Sequence, residues 1–342
     1  MGFRAKKIRW QHLDDEALLD CRFKDLGLKI EKCRVWEGIQ QLYHELRERR
    51  IRFLPHCWFG EEWFSPDGIP GISIPFYLAH PRLKKLEARQ MYDVEGGSPQ
   101  QFMQLLRHEA GHAIMTAYQL SRKPECRRIF GSFTRSYPTY YTPRPQSRRY
   151  VLHLDWWYAQ AHPAEDFAET FAVWLRPRSN WRSEYRGWPA LKKLEYMDEL
   201  MRSIPRKATL SRKRNKIEPV TIMSKTLRQH YREKKDYYGV NIKQFYDQEL
   251  LRVFHTNPPP GRRRLAATFL QQIGPRLCIA CARSTGEHPY TISQILKEMI
   301  QRCRELKLYV SDEEEIASMR SSVFLSFLIM NYLHRIRHRI PV

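Results

Sequence analysis

Apolar residues recur along this chain at changing periods. Between residues 11 and 50 the spacing is helical: Val35, Ile39, Leu42 and Leu46 fall three or four apart and share one face. From Ile51 to Leu78 the helical period is lost in a stretch rich in aromatics, Gly and Pro, which predicts short strands and turns. Within it GISIPFYL (Gly71 to Leu78) reads as an edge strand, because Pro75 cannot donate to a central ladder. The helical period returns at Ser98. Ser98 is placed as N-cap, Pro99 fits the first helical position, Gln101 completes a capping box, and apolar positions continue to about Tyr118. Pro124 to Tyr150 reads as a long irregular stretch with several prolines and tyrosines. Phe167, Phe171 and Leu175 mark another helix, from Pro163 to no further than Pro177, and a third runs from about Pro189 to Ile204.

Beyond this point the composition shifts. Residues 206 to 216 are basic and polar and read as a linker. Residues 206 to 342 carry 26 Lys and Arg against 12 Asp and Glu, whereas residues 1 to 205 carry 33 against 25. The expected division is therefore 1–205 and 206–342, the second part mainly helical with breaks at Asn257–Gly261 and near Gly286. The whole chain has net charge +22, and such a surface favours anionic partners such as nucleic acid. Hydrophobic residues at 42% exclude wholesale disorder.

The start of the chain lacks an apolar signal core, and Lys6 stands where a myristoylation signal wants Ser or Thr. The longest apolar run, Val323 to Leu333, is too short to span a bilayer and reads as a buried helix. Seven cysteines without disulfide-framework spacing fit a reducing compartment, so a cytoplasmic location is expected.

One short motif carries chemistry. In Arg107-His108-Glu109-Ala110-Gly111-His112, the histidines are four apart and share a helix face, so both imidazoles can reach one ion. Glu109 lies on a neighbouring face, where its carboxylate can take a proton from an activated water. Two imidazoles and a carboxylate suit Zn2+ with a fourth position open. The third ligand is sought in HPAEDFAETFAVWL. Glu165 and Glu169 share a face of an otherwise apolar helix, and buried carboxylates need partners. One carboxylate can bind the metal while the other accepts the free ring N–H of a ligating histidine. Spacing alone leaves Glu165, Asp166 and Glu169 as alternatives, with His153 as a further substitute ligand.

HEAGH followed some fifty residues later by EDFAETFA resembles the gluzincins. It is most similar to a family of zinc-binding metallopeptidases and, at the site, to the anthrax-lethal-factor-like and proline-specific clostridial endopeptidases. The resemblance covers roughly residues 50 to 200 and is specific only around the two helices. It implies that Glu165, the first glutamate of the ExxxE pair, binds zinc and that Glu169 lies outside it. Those families also carry a tyrosine seven residues before the ligand glutamate, here Tyr158. A hydroxyl there could donate to the oxyanion formed when water attacks a peptide carbonyl.

The expectation is thus an α+β chain: a zincin-like catalytic domain with its active-site helix beside a short sheet, then a mainly helical basic domain. The expected activity is zinc-dependent hydrolysis of a peptide or protein substrate, with Glu109 as general base. The alternative is a nucleic-acid-associated protein whose basic C-terminal segment supplies the main function; its densest cluster is Arg262 to Arg264. A degenerate fold keeping zinc structurally is disfavoured, since such a site has no need of Glu109. Cys278 and Cys281 form a CxxC, but only His288 and Cys303 lie near enough in sequence to complete a zinc site, and two buried thiols are the simpler reading. The tyrosine-rich loop from Tyr137 to Tyr150, with Arg144, Arg148 and Arg149, is a candidate cleft wall. A Gly-rich phosphate loop and a GxSxG elbow are both missing from the sequence, so nucleotide hydrolysis and serine chemistry have no support.

Overall fold

The face that Val35, Ile39, Leu42 and Leu46 share is buried in the first long helix, α1 (Val35–Glu48). This is seen in a computed structural model that describes residues 9–138, 140–145, 147–204, 208–211, 213–238, 247–258, 264–335 and 340–341. The aromatic stretch after α1 forms two short strands, β1 (His56–Gly60) and β2 (Gly71–Pro75), which pair in parallel with His56 opposite Gly71 and Gly60 opposite Pro75. On its other side β2 makes only an isolated antiparallel bridge, Ser73 N donating to Phe64 O at 2.8 Å. Pro75 ends the strand, where its missing N–H costs no ladder bond.

The helices that follow are α2 (Pro81–Met91), α3 (Pro99–Ala117), α4 (Pro124–Phe130), α5 (Pro163–Leu175) and α6 (Leu191–Ser203). The start of α3 is as its sequence predicts: Ser98 Oγ accepts from Gln101 N at 3.2 Å and Pro99 occupies the first turn. α4 lies inside the stretch expected to be irregular; Pro124 and Glu125 suit a helix start, and Gly131 ends it. α3 packs on α1, on β2 and most extensively on α5. All residues of α5 are buried, acidic ones included, so it has no polar outer face.

The chain divides into two units. One contains residues 1–86 and 94–229 with the last two residues, the other residues 87–93 and 230–340. The start of the basic stretch, up to residue 229, therefore belongs with the first unit, to which it is bonded. Leu210 N and Ser211 N donate to Ala117 O, His56 Nε2 donates to Asn215 O, and Trp58 Nε1 donates to Ile217 O. Lys225 pairs with Glu61 at 2.9 Å and Arg228 with Asp20 at 2.7 Å. The charge shift marks where the surface becomes basic, while these contacts mark where the packing changes.

The second unit is helical: part of α7 (Leu227–Tyr238), then α8 (Ala266–Thr285), α9 (Pro289–Glu305) and α10 (Glu314–Arg335). Gly286, in the left-handed region at φ +78°, caps α8 at the expected break. Phe254, Phe269, Leu270, Ile292, Leu325 and Ile329 lie at its core. The apolar run in α10 is only half buried, which corrects the expectation of a buried helix. Phe324, Leu325, Leu328 and Ile329 turn inward, whereas Val323 (66% exposed) and Phe327 (51%) face water. Among the described residues no helix is long and apolar enough to cross a membrane.

Candidate metal centre

The site is built where α3 crosses α5, and the crossing is close because of two small residues. A Cβ on Gly111 would stand 2.8 Å from Ala168 Cα, so no larger residue fits without moving a helix. Glycine inside a helix costs about 1 kcal/mol against alanine, and this contact explains its presence. Next to the motif, Arg107 donates to both carboxylate oxygens of buried Glu45 at 2.8 Å, tying α3 to α1 through a two-point bond that resists rotation.

Three donor atoms converge at the crossing. Glu165 Oε2 lies 3.0 Å from His108 Nε2 and 3.1 Å from His112 Nε2, and the two ring nitrogens are 3.1 Å apart. Among the described residues this is the one group of three or more such side chains close enough to share an ion. His108 Nδ1 is 2.7 Å from Glu169 Oε1, so Nδ1–H donates to it and Nε2 keeps its lone pair directed at the cluster. Glu169 Oε2 accepts from Leu154 N at 2.8 Å, so both oxygens of that fully buried carboxylate are used.

The donor set fits zinc. Donors about 2.0–2.1 Å from a tetrahedral ion stand about 3.3 Å apart, and the observed triangle is only a few tenths of an ångström tighter. Burial opposes charge on His108, but Glu165 and Glu169 outweigh it and raise its pKa well above the ordinary value. Burial likewise opposes charge on Glu165, and His112 and His108 outweigh it and hold its carboxyl well below the usual range.

Glu109 stands beside this cluster, buried, and its Oε2 has no hydrogen-bond partner. Burial raises its pKa, with His112 and His108 opposing. A buried carboxylate oxygen left unpaired among charged neighbours is costly unless something else uses it.

Of the sequence alternatives, Asp166 faces away and pairs with Lys193 at 2.6 Å, and His153 Nε2 donates to Gln104 O at 3.0 Å. Neither belongs to the cluster. Tyr158 does approach it: its ring centroid is 5.7 Å from that of His108. Burial first, then the charges of Glu165 and Glu109, push its hydroxyl pKa well above the ordinary value, so it stays a proton donor. The preceding Trp156 and Trp157 both take the left-handed conformation, at φ +61° and +56°. Such strain costs on the order of 1–3 kcal/mol per residue and here turns the chain tightly enough to direct Tyr158 toward His108. Tyr141 Oη supports the turn by donating to Trp156 O at 2.8 Å.

Tyr137 and His162 enter the site without having been singled out for it. Tyr137 Oη donates to Glu165 Oε1 at 2.9 Å, and His162 caps α5 by accepting from Ala164 N at 3.1 Å. Tyr137 appears in the sequence only as the first of the loop tyrosines, and nothing in its spacing points to Glu165. His162 had a usable signal, a His-Pro pair at a helix start. In the second unit, Cys278 and Cys281 are core residues, with Ser326 Oγ 3.4 Å from Cys281 Sγ. Neither forms a metal-holding group with His288 or Cys303 among the described residues. Arg264 pairs with Glu314 at 2.9 Å and covers the ring of Phe269, while Arg262 and Arg263 lie outside the described residues.

Residues 100–186 match the model of the family described as "Putative zinc-binding metallo-peptidase". This span contains α3 from its second residue, α5 and every residue of the cluster. No curated protein and no solved structure matches the chain.

Proposed function

We propose that the chain is a zinc-dependent peptidase of the gluzincin type, with His108, His112 and Glu165 as ligands and Glu169 holding His108 from outside. One observation carries the reading: three donor atoms meet at one point while Glu109, buried beside them, keeps an unpaired oxygen. A purely structural site would need the first feature and not the second.

Zinc, when bound, supplies Lewis acidity toward a carbonyl oxygen and toward water. The remaining steps fall to the chain's own residues. Glu109 Oε2 takes a proton from the attacking water as its oxygen bonds to the peptide carbonyl carbon. The same carboxyl then delivers that proton to the amine nitrogen as the C–N bond breaks, and ends ionised as it began. Burial suits Glu109 to this exchange, since a raised pKa brings the carboxyl nearer neutrality. Tyr158 donates its hydroxyl to the developing oxyanion, an interaction stronger in the transition state than in the ground state. Glu169 keeps His108 in the tautomer whose Nε2 can ligate.

The test is Glu109→Gln, with metal content and peptide hydrolysis measured on the same preparation. The expected result is about one zinc per chain in parent and variant, with hydrolysis slowed at least about 100-fold in the variant. A parent chain that takes up no zinc, or a variant that hydrolyses peptides at the parent rate, overturns the proposal.

A further inference from the structure

The free oxygen of Glu165 has its own holder, and that holder has its own support. Gly131 ends α4 at φ +102° and ψ −175°, a conformation open essentially to glycine alone, and lies against Pro163 at the start of α5. Residues 132 to 138 then run along the first turn of α5 and are tied to it at several points. His162 Nδ1 accepts from Ala164 N, so its ring proton sits on Nε2, which donates to Arg135 O at 3.1 Å. The ring of Tyr137 stacks on His162, centroids 3.9 Å apart and planes within 23°. Phe133 meets Phe167 edge-on at 6.5 Å. The Tyr137 hydroxyl then donates to Glu165 Oε1 at 2.9 Å, while Oε2 faces the two imidazoles.

We infer that Tyr137 is a positioning residue for the metal, holding Glu165 so that one oxygen alone reaches the ion. A carboxylate with both oxygens free can turn to bind through two. With Oε1 engaged by a hydroxyl whose ring is locked on His162, Oε2 is the donor and the carboxylate plane is set before an ion arrives. A zinc ion held through Oε2 alone would keep a position free for water and substrate, because Oε1 is occupied by the Tyr137 hydroxyl. Tyr137 is half-exposed, yet its hydroxyl is engaged by the buried Glu165. This role rests on the reading of the cluster as a zinc site and adds to it how the carboxylate is held.

Tyr137→Phe keeps the stacked ring and removes only the hydroxyl. Zinc affinity, measured by competition with a chromophoric chelator, should fall about 10- to 100-fold, as for loss of an outer partner of a ligand. With cobalt(II) in place of zinc, the visible d–d bands should weaken as the freed Oε1 joins the ion and coordination number rises. Tyr137→Leu, which loses ring and hydroxyl, should be at least as weak. If Tyr137→Phe binds zinc at the parent affinity with the parent cobalt spectrum, the inference is wrong. It is also wrong if Tyr137→Leu alone is impaired, because the ring and not the hydroxyl would then matter. A parent chain that binds no zinc removes the metal reading and this inference together, whereas a zinc-binding parent with an unaffected Phe variant removes this inference only.

Discussion

α5 and α9 begin in the same way and carry different contents. Each starts with a His-Pro pair, His162–Pro163 and His288–Pro289, proline taking the first helical position. In each, the histidine Nδ1 accepts the amide of the residue two further on, Ala164 or Tyr290, at 3.1 Å. In each, a tyrosine from another segment stacks on the imidazole at 3.9 Å: Tyr137 on His162 and Tyr238 on His288. A third pair, His80–Pro81, opens α2 with the same bond to Arg82 N at 3.0 Å. The difference appears three residues past the histidine. In α5 that residue is Glu165, which takes a hydrogen bond from the Tyr137 hydroxyl and faces two imidazoles. In α9 it is Thr291, which donates to the Tyr238 carbonyl at 2.8 Å. α9 packs on α8, which brings Ile273, Leu277 and Cys278 to the core of that unit. The capping device starts a helix and fastens a passing segment to it; the chemistry depends on the side chain at the third position and on what the opposing helix presents.

The largest expected contrast comes from removing those third-position side chains. Glu165→Ala should abolish stoichiometric zinc uptake, weakening it by more than the roughly 100-fold that outer partners reach. Thr291→Ala should leave metal content untouched and cost about 1 kcal/mol in stability, the usual worth of one buried hydrogen bond. Zinc retention by the first variant, measured by elemental analysis after gel filtration, would remove the contrast.

Acid should separate the two units next. Burial is the main cause pushing the His288 pKa down to about 3, with Lys234 acting in the same direction, so the folded chain keeps it neutral where the unfolded chain binds a proton. Its contribution is therefore complete above the unfolded pKa of about 6.5 and declines as pH falls toward the folded value, by about 1.4 kcal/mol at pH 5.5. Amide protection in α9, corrected for the intrinsic exchange rate at each pH, should fall between pH 6.5 and 5.5. His288→Asn, which can still cap, should show no such fall. Equal behaviour of parent and Asn variant would show that burial of this imidazole is not what couples α9 to pH.

The smallest effects concern the caps alone. His162→Ala and His288→Ala should each cost about 1 kcal/mol, read as faster amide exchange in the first turn of the affected helix. If the two costs differ several-fold, the caps are not equivalent devices, and the stacked tyrosines or neighbouring contacts set their strength.

Much of α3 and α5 was legible from local pattern. Ser98, Pro99 and the apolar period outline α3, and i, i+4 spacing brings His108 and His112 to one face whatever surrounds them. α4 was not legible, because a short helix between prolines offers too few turns for a period to register. The half-exposed face of α10 was hidden for the opposite reason: an unbroken apolar run looks alike whether one or both faces are covered. The basic composition after residue 205 coincided with no break in packing, since Asn215 and Ile217 offer backbone carbonyls, which composition does not encode.

The sequence by itself determined the two helices that carry the site and the residue types able to hold an ion, because hydrogen bonding along a helix imposes its period within a few residues. Only the tertiary structure decided which groups meet. Glu165, Asp166 and Glu169 are all acids on one helix, yet one faces the imidazoles, one pairs with Lys193 and one accepts from His108 Nδ1 and Leu154 N. That sorting follows from the azimuth of each residue on α5 and from the depth to which Gly111 lets α3 settle onto Ala168. Tyr137 reaches Glu165 by way of the helix end at Gly131 and a ring seated on His162, contacts between segments far apart in sequence that no local period records.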